Sequence, residues 1–400
     1  MTPEQAKLIG AVSADRLLEL TLDLVRIASP SGDNAAVAEC YADVLRGIGL
    51  EVQLERYEEY PGSPSVIARL RGASSGPTLQ LDGHLDTIHT AHELPHFADG
   101  RIYGRGSTDM KASLAAVAEL ARLLAESRVR LRGDLLVTAH GMHEAPWAVG
   151  ETVRLLIANG HVGDAVICVE GDPHVLPLMG KGLGIFEVDI TRQGASVHEV
   201  AAPADLPHPI LVGQRLVAEM LARNADMAPI ELPYDLGPET YFVGVFRSGD
   251  FYNRLPTHCH IVGTRRYAPW RRFSEVEAEF RDMARRVARE MGAQIAVRMW
   301  RQRDGFEVEP DTPVAQSLCR AYAAVHGRPL RLGGIKACAD SSIFANEAHV
   351  PALLYGPGLA QAHADVEWVA LQDIVEVTKV LLLTALEYLV GSGVDAIAIA

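Results

Sequence analysis

The stretch TLQLDGHLDTIHTAHELPHFADGRIYGRGSTDMKASLAAVAEL, residues 78–120, decides how this chain is read. Its first part, TLQLDG (78–83), is a short apolar run set off by glycine and proline, the pattern of a buried strand. From His84 to Asp109 the chain becomes a long loop rich in His, Gly and charge. From Lys111 to Leu124 apolar residues return at helical spacing. Strand, polar loop and helix in this order belong to an α/β sheet, and such sheets bind ligands at the carboxyl ends of their strands.

The same alternation continues outward. Residues 34–48 (NAAVAECYADVLRGI) read as an amphipathic helix stopped by Gly49, and VQLERY (52–57) and SVIARLRG (65–72) as strands. LLVTAH (135–140) and AVICVE (165–170) are apolar runs separated by a helical stretch, Glu151–Ala158, which predicts a largely parallel sheet. From Gly184 the style changes to strand (GIFEVDITRQ), helix (Ile210–Ala225), two strands (YFVGVF and HCHIVGTRRY), helix (Ser274–Met291) and strand (AQIAVRMW). This βαββαβ order is that of a ferredoxin-like unit. Helical Pro313–Val325, the strand VPALLYG (350–356) and helix Leu371–Leu389 resume the first style. The expectation is a discontinuous α/β domain, 1–179 and 302–400, with a mostly parallel mixed sheet flanked by helices, interrupted by an α+β domain at 180–301.

Composition sets the outer limits. The chain has 400 residues, 48% hydrophobic and 22% charged, with 35 Gly and 22 Pro scattered along it. That is an ordinary globular composition, and at roughly 150 residues per domain it makes two domains reasonable. A net charge of −14 leaves no basic surface for phosphates and argues against a nucleic-acid partner. The five cysteines form no C-x-x-C pair, so a reducing, cytoplasmic setting is expected. Neither MTPEQAKLIGAVSADRLLEL at the start nor VLLLTALEYLV (380–390), interrupted by Glu387, predicts export or a membrane anchor. What stands out is 15 histidines, with His84, His89, His92 and His96 crowded together, because histidine is the commonest metal ligand.

Acidic and histidine residues recur just past the expected strand ends: His84 and Asp86, Glu144, Glu170 and His363. Singly each reads as a solvated or capping residue; together on one sheet edge they form a constellation. In His84-x-Asp86 the carboxylate can hold the second ring N–H of a metal-binding imidazole. Asp109, in GRGSTDMK, also reads as a helix N-cap. TAHGMHEAPW is not a zincin helix, because H-E-x-x-H needs histidine where the chain has Trp147. Phosphate-loop, nucleophile-elbow and dinucleotide-binding motifs are absent from the sequence.

The blocks SPSGDN (29–34), GHLDT (83–87), GRGSTDMKASLAA (104–116), GASVHE (194–199), NRLP (253–256), RYAP (266–269), LYGPG (354–358) and HADVEWV (363–369) give the chain a close resemblance to a known family. It is the two-zinc amidohydrolase group of aminoacylases, acetylornithine deacetylase, succinyl-diaminopimelate desuccinylase and carboxypeptidase G. The resemblance implies a zinc-exopeptidase-like catalytic domain and a lid domain that usually dimerises. Carried over residue by residue, it makes His84 and Glu170 ligands of one zinc, Asp109 the bridge, and His363 a ligand of the second. Cobalt or manganese are the expected substitutes for zinc. Glu144 takes the general-base position, and the implied reaction is amide hydrolysis in which zinc polarises the carbonyl and activates a water. His198 corresponds to an oxyanion-stabilising lid histidine, and Asn253 and Arg266 to positions that hold the substrate. Gly356 and Gly358 are expected to allow close backbone approach to substrate. Cys338 and Asp340 fall in a segment that in relatives lines the pocket, and Tyr241, Phe242, Phe251 and Tyr252 are expected to set pocket polarity.

One departure matters. Relatives usually carry two consecutive acidic residues where this chain has Glu144 and Ala145, and the second of them is a metal ligand. Either His143 or His140 is expected to substitute, His143 first because it adjoins the base, or the second site is weak and the enzyme works with one tightly held ion. The expected activity is hydrolysis of an N-acyl amino acid or small peptide-like substrate with a free carboxylate. The alternatives are a di- or carboxypeptidase of the same fold, or a binding protein that lost turnover with its second acidic ligand.

Overall fold

The computed structural model describes residues 1–127, 129–144, 146 and 148–390; Ala145 and Trp147 lie outside the described residues. In chain order the strands used below are β1 (Glu51–Glu55), β2 (Ser65–Leu70), β3 (Leu79–His84), β4 (Leu135–His140), β5 (Ala165–Cys168), β6 (Gly182–Thr191), β7 (Thr240–Ser248), β8 (His258–Tyr267), β9 (Gln294–Arg303) and β10 (Ala352–Leu354). The chain divides into two compact units, one of Met1–Leu178, Val308–Gly333 and the chain from Ile343 on, the other of Met179–Glu307 and Gly334–Ser342.

The first unit holds a six-stranded sheet in the order β1-β2-β4-β3-β5-β10. β4, β3, β5 and β10 run parallel, whereas β1 and β2 add antiparallel pairs at one edge. Every residue of β3, β4 and β5 is buried, because helices cover both faces of a parallel sheet. That is why these strands read as continuous apolar runs and not as alternating ones. The helix Ala35–Ile48 buries Val37, Tyr41 and Leu45 and ends at Gly49, whose φ of +95° suits a residue without Cβ. The helix Leu371–Val390 is apolar on nearly all sides because it lies in the core. Among the described residues no helix is long and apolar enough to cross a membrane.

Two local expectations change. Within the 84–109 loop, His96–Ala98 and Arg101–Tyr103 form a small antiparallel pair that also joins Trp368–Ala370. The next helix begins at Ala112 with Lys111 at its N-cap, so Asp109 is not a helix cap. Asp109 instead sits in a wide turn, Ser107–Lys111, with a non-helical φ of −131°.

The second unit is a four-stranded antiparallel sheet, β7-β8-β6-β9, with the helices Pro209–Met227 and Phe273–Met291. Its element order and strand order are ferredoxin-like. Alternate residues of β6 and β8 (Phe186, Val188, Ile190, Cys259, Ile261) meet Leu216, Met220, Phe280 and Met283 in one core, and the intervening residues face away. Tyr241, expected to shape the pocket, is part of this core, with the Arg265 guanidinium 4.6 Å from its ring centre. The unit runs on to Glu307 and takes in Gly334–Ser342, which the sequence pattern placed in the α/β domain. The physical reason is a buried ion pair: Nε and Nη2 of Arg303 donate to Asp340 Oδ1 at 3.2 and 2.9 Å. Asp340 is therefore held by Arg303.

Candidate active site

The parallel strands β4, β3, β5 and β10 bring their carboxyl ends to one sheet edge. His84 is the last residue of β3, Glu144 follows β4, Glu170 follows β5, and His363 lies in the loop after β10. Positions spread over the chain from 84 to 363 thus meet because the sheet order is β4-β3-β5-β10.

His84 Nδ1 lies 2.9 Å from the main-chain oxygen of Asp86, which can only accept, so this nitrogen carries the hydrogen. The Asp86 carboxylate, expected to play that part, is 3.6 Å away. Buried, it instead accepts Ser31 Oγ at 2.5 Å and the backbone N–H groups of His143 and Glu144 at 3.0 and 3.2 Å. Asp86 therefore fixes the loop that carries His143 and Glu144. His84 Nε2 points to Asp109 Oδ1 at 3.0 Å, and the other Asp109 oxygen lies 3.3 Å from His363 Nε2. Each oxygen of this one buried carboxylate faces a different imidazole.

Glu144, also buried, places Oε2 2.9 Å from His363 Nε2. Ligand atoms of His84, Asp109 and Glu144 lie within 4.8 Å of one another, and so do those of His84, His143 and Glu170. The His143 ring stacks on the His84 ring, with centroids 4.0 Å apart and planes 2° from parallel. His143 therefore stands beside His84 and Glu170, while Glu144 is the neighbour of His363. His140 is turned into the core, its Nδ1 and Nε2 facing Gly141 O at 3.1 Å and Asp82 Oδ2 at 3.3 Å, which removes it as a substitute ligand.

The electrostatics follow from this crowding. Burial disfavours charge on His84, but the carboxylates of Asp109, Asp86 and Glu144 outweigh it and hold its pKa well above the usual value. Burial likewise opposes charge on Asp109, yet hydrogen bonds from His363 and His84 keep its carboxyl far below the usual range. Hydrogen bonds to Asp109 and Glu144 lift His363 to about 10.

Several supporting residues carry no obvious signal in the sequence. Glu367 is buried and accepts the backbone N–H groups of Thr108 and Asp109 and the Arg105 guanidinium, strapping the turn that presents Asp109. Lys111, pushed down to about 7 by burial, donates to Ile27 O. A Cβ on Gly356 would come within 2.7 Å of Val169 O and 2.8 Å of the Glu170 main chain, so this glycine makes room for the Glu170 segment. Gly358, at φ +134°, accepts Thr108 Oγ1 through its carbonyl. Of the crowded histidines only His84 joins the cluster: His89 bonds Ser31 O, His92 accepts Glu367 N–H, and His96 stacks on Tyr103.

The second unit carries the other expected residues. His198 Nε2 is 3.0 Å from the Asn253 amide nitrogen, and its Nδ1 is 3.1 Å from Glu199. Arg266 has one buried guanidinium nitrogen, Nη1, without a hydrogen-bond partner. Phe242, Phe251 and Tyr252 are exposed.

An α/β unit with carboxylates and imidazoles gathered at one strand edge, joined to a ferredoxin-like unit, defines a metallopeptidase-like hydrolase. Residues 80–387 match the model of peptidase family M20/M25/M40, and the chain belongs to that family. It is therefore a metal-dependent hydrolase of amide bonds. Among characterised relatives it is 29% identical to succinyl-diaminopimelate desuccinylase of Gluconacetobacter diazotrophicus, covering 91% of this chain and 94% of that one. It is 22% identical to N-formyl-4-amino-5-aminomethyl-2-methylpyrimidine deformylase of Bacillus subtilis, covering 92% and 93%. The fold is shared with aminopeptidase PepT of Bacillus cereus (TM-score 0.78, 19% identity, 94% and 99% covered). Human carnosine dipeptidase 1 shares it as well (TM-score 0.76, 16% identity, 97% and 99% covered).

Proposed function

We propose that this protein removes an acyl group from an N-acyl amino acid or small peptide-like substrate bearing a carboxylate, using two metal ions of the zinc class, for which cobalt or manganese can substitute. The supporting observation is the meeting of three buried carboxylates, Asp109, Glu144 and Glu170, with His84, His143 and His363 at one sheet edge. Such a mixed carboxylate and imidazole set suits zinc. Asp109, with one oxygen toward each histidine, is the shared donor; His84 and Glu170 serve one ion, Glu144 and His363 the other. Bound there, the ions supply Lewis-acid polarisation of the scissile carbonyl and a water of lowered pKa.

Two roles are thereby redistributed. Because Glu144 meets His363 at 2.9 Å and has a carboxylate oxygen within 4.8 Å of Asp109, it supplies the acidic donor that Ala145 lacks. His143, half buried beside His84 and Glu170, is then placed to take the water's proton and return it to the leaving amine. The same contacts favour a second role, in which His143 completes the donor set of His84 and Glu170. Asp86 orients both residues through their backbone N–H groups. Asp86→Ala is expected to weaken metal binding by about 10- to 100-fold, read by competition with a chromogenic chelator.

For substrate, the unpartnered Arg266 nitrogen supports a carboxylate ligand, and His198 with Asn253 supports polar contacts to the acyl carbonyl. The acyl reading also draws on the activities of the deformylase and desuccinylase relatives. The test is a panel of N-formyl, N-acetyl and N-succinyl amino acids beside dipeptides. Acyl substrates should turn over, activity should vanish with a chelator, and zinc or cobalt should restore it. Turnover of dipeptides alone would make the protein a peptidase, and turnover of nothing on the panel would refute the reading.

We assign the second unit the part of lid and dimerisation domain. Its edge strand β7 exposes Phe242 and Phe246, and the helix Pro209–Met227 exposes Leu211 and Leu221. An exposed apolar edge strand is a pairing template for a second copy. Phe242→Lys is expected to convert a dimer into a monomer in sedimentation velocity. The five cysteines, none of them in a disulfide, support a cytoplasmic location.

A further inference from the structure

We infer that the second unit carries a metal-binding site of its own, formed by His258 and His260 of β8 and Asp189 of β6, on the sheet face opposite the helices. Register places them together. β6 and β8 pair antiparallel with His260 opposite Asp189 and His258 opposite Thr191, so His258 and His260, two residues apart, project from the same face. Cys259 between them points into the core.

His258 Nε2 and His260 Nδ1 converge on one oxygen, Asp189 Oδ1, at 2.8 and 2.9 Å. The three candidate ligand atoms lie within 4.8 Å of one another, and the imidazole centroids are 6.2 Å apart. Two imidazole nitrogens gathered around one carboxylate oxygen match the donor set of zinc-class ions. Tetrahedral zinc holds its ligand atoms about 3.3 Å apart, so the two contacts to Asp189 need to open by about half an ångström. The side chains are partly exposed and can make that adjustment. Glu187, 3.7 Å from His260 Nε2 and paired with Arg298 at 2.7 Å, stands beside the three residues. A shallow cavity of about 420 Å³, lined by Arg247, Asp250, Pro256 and Thr257, adjoins the two histidines and leaves room for water or an external donor at the open positions.

The inference is independent of the proposed reaction. The experiment is equilibrium dialysis of the full chain against chelator-buffered zinc, counting bound ions by mass spectrometry in the wild type and in His258→Ala/His260→Ala. The double variant should bind one ion fewer per chain and keep its amide hydrolysis. Asp189→Asn should weaken the same ion, and a cobalt-loaded wild type should lose the corresponding share of its d–d absorption in the double variant. Equal ion counts in wild type and double variant would overturn the site. If the protein hydrolyses no substrate but the difference of one ion persists, the inference stands while the proposed function fails.

Discussion

Glu144→Gln is expected to lose one of the ions at the sheet edge and to lower kcat/KM by about a thousandfold or more, since in the proposed assignment it removes a ligand of the ion that polarises the carbonyl. The amide keeps the shape of the carboxylate but not its charge, so the ion pair with the half-exposed His363 is lost. A variant that keeps every ion and still loses the rate would return Glu144 to the role of base. His143→Ala completes the comparison. It should keep the full ion count and lose about 10²- to 10⁴-fold in kcat, the range for a general base. Loss of an ion instead would make His143 a ligand beside His84 and Glu170.

The second large effect is on the pH dependence of metal uptake. A histidine with the usual pKa near 6.5 is neutral above pH 7, so affinity through it would be flat from there upward. In this protein Asp109 and Glu144 hold His363 protonated up to about 10, and His84 is raised as well. An ion must displace those protons to reach the ring nitrogens. Affinity should therefore keep rising between pH 7 and 9, by up to about tenfold per pH unit for each proton displaced. Calorimetry in buffers of different ionisation enthalpy should show matching proton release. A plateau in affinity above pH 7 would contradict the pairing of His363 with the two carboxylates.

Much of the architecture was legible because it rests on local periodicity. The alternation of β8 and the helical spacing of Phe273–Met291 mark a sheet with one covered face, and the ferredoxin-like order follows from the sequence of such elements. The principal cluster could be placed because each member sits just past an apolar run. Its inner wiring could not be placed. Adjacent residues His143 and Glu144 point to different neighbours, and a one-residue shift in matching a motif exchanges ligand and base. Glu367 reads as one more acidic residue near a Trp until Thr108 and Asp109 are seen donating to it. Gly356 resembles a substrate-facing glycine, yet the atoms crowding its missing Cβ are those of Val169 and Glu170. His258 and His260 look unremarkable, although a spacing of two inside a strand was the signal that would have paired them.

The sequence by itself determined the main strands and helices of both units, that the chain alternates between two fold styles, and which residue types end each strand of the α/β sheet. Backbone sterics and the burial of apolar faces act over a few residues, so short windows contain that information. Tertiary structure alone decided which oxygen faces which imidazole: that Asp109 stands between His84 and His363, that Glu144 meets His363, and that Asp86 grips the loop rather than the ring. These contacts join residues from 84 to 363 through the order of a parallel sheet, and no local pattern encodes that order.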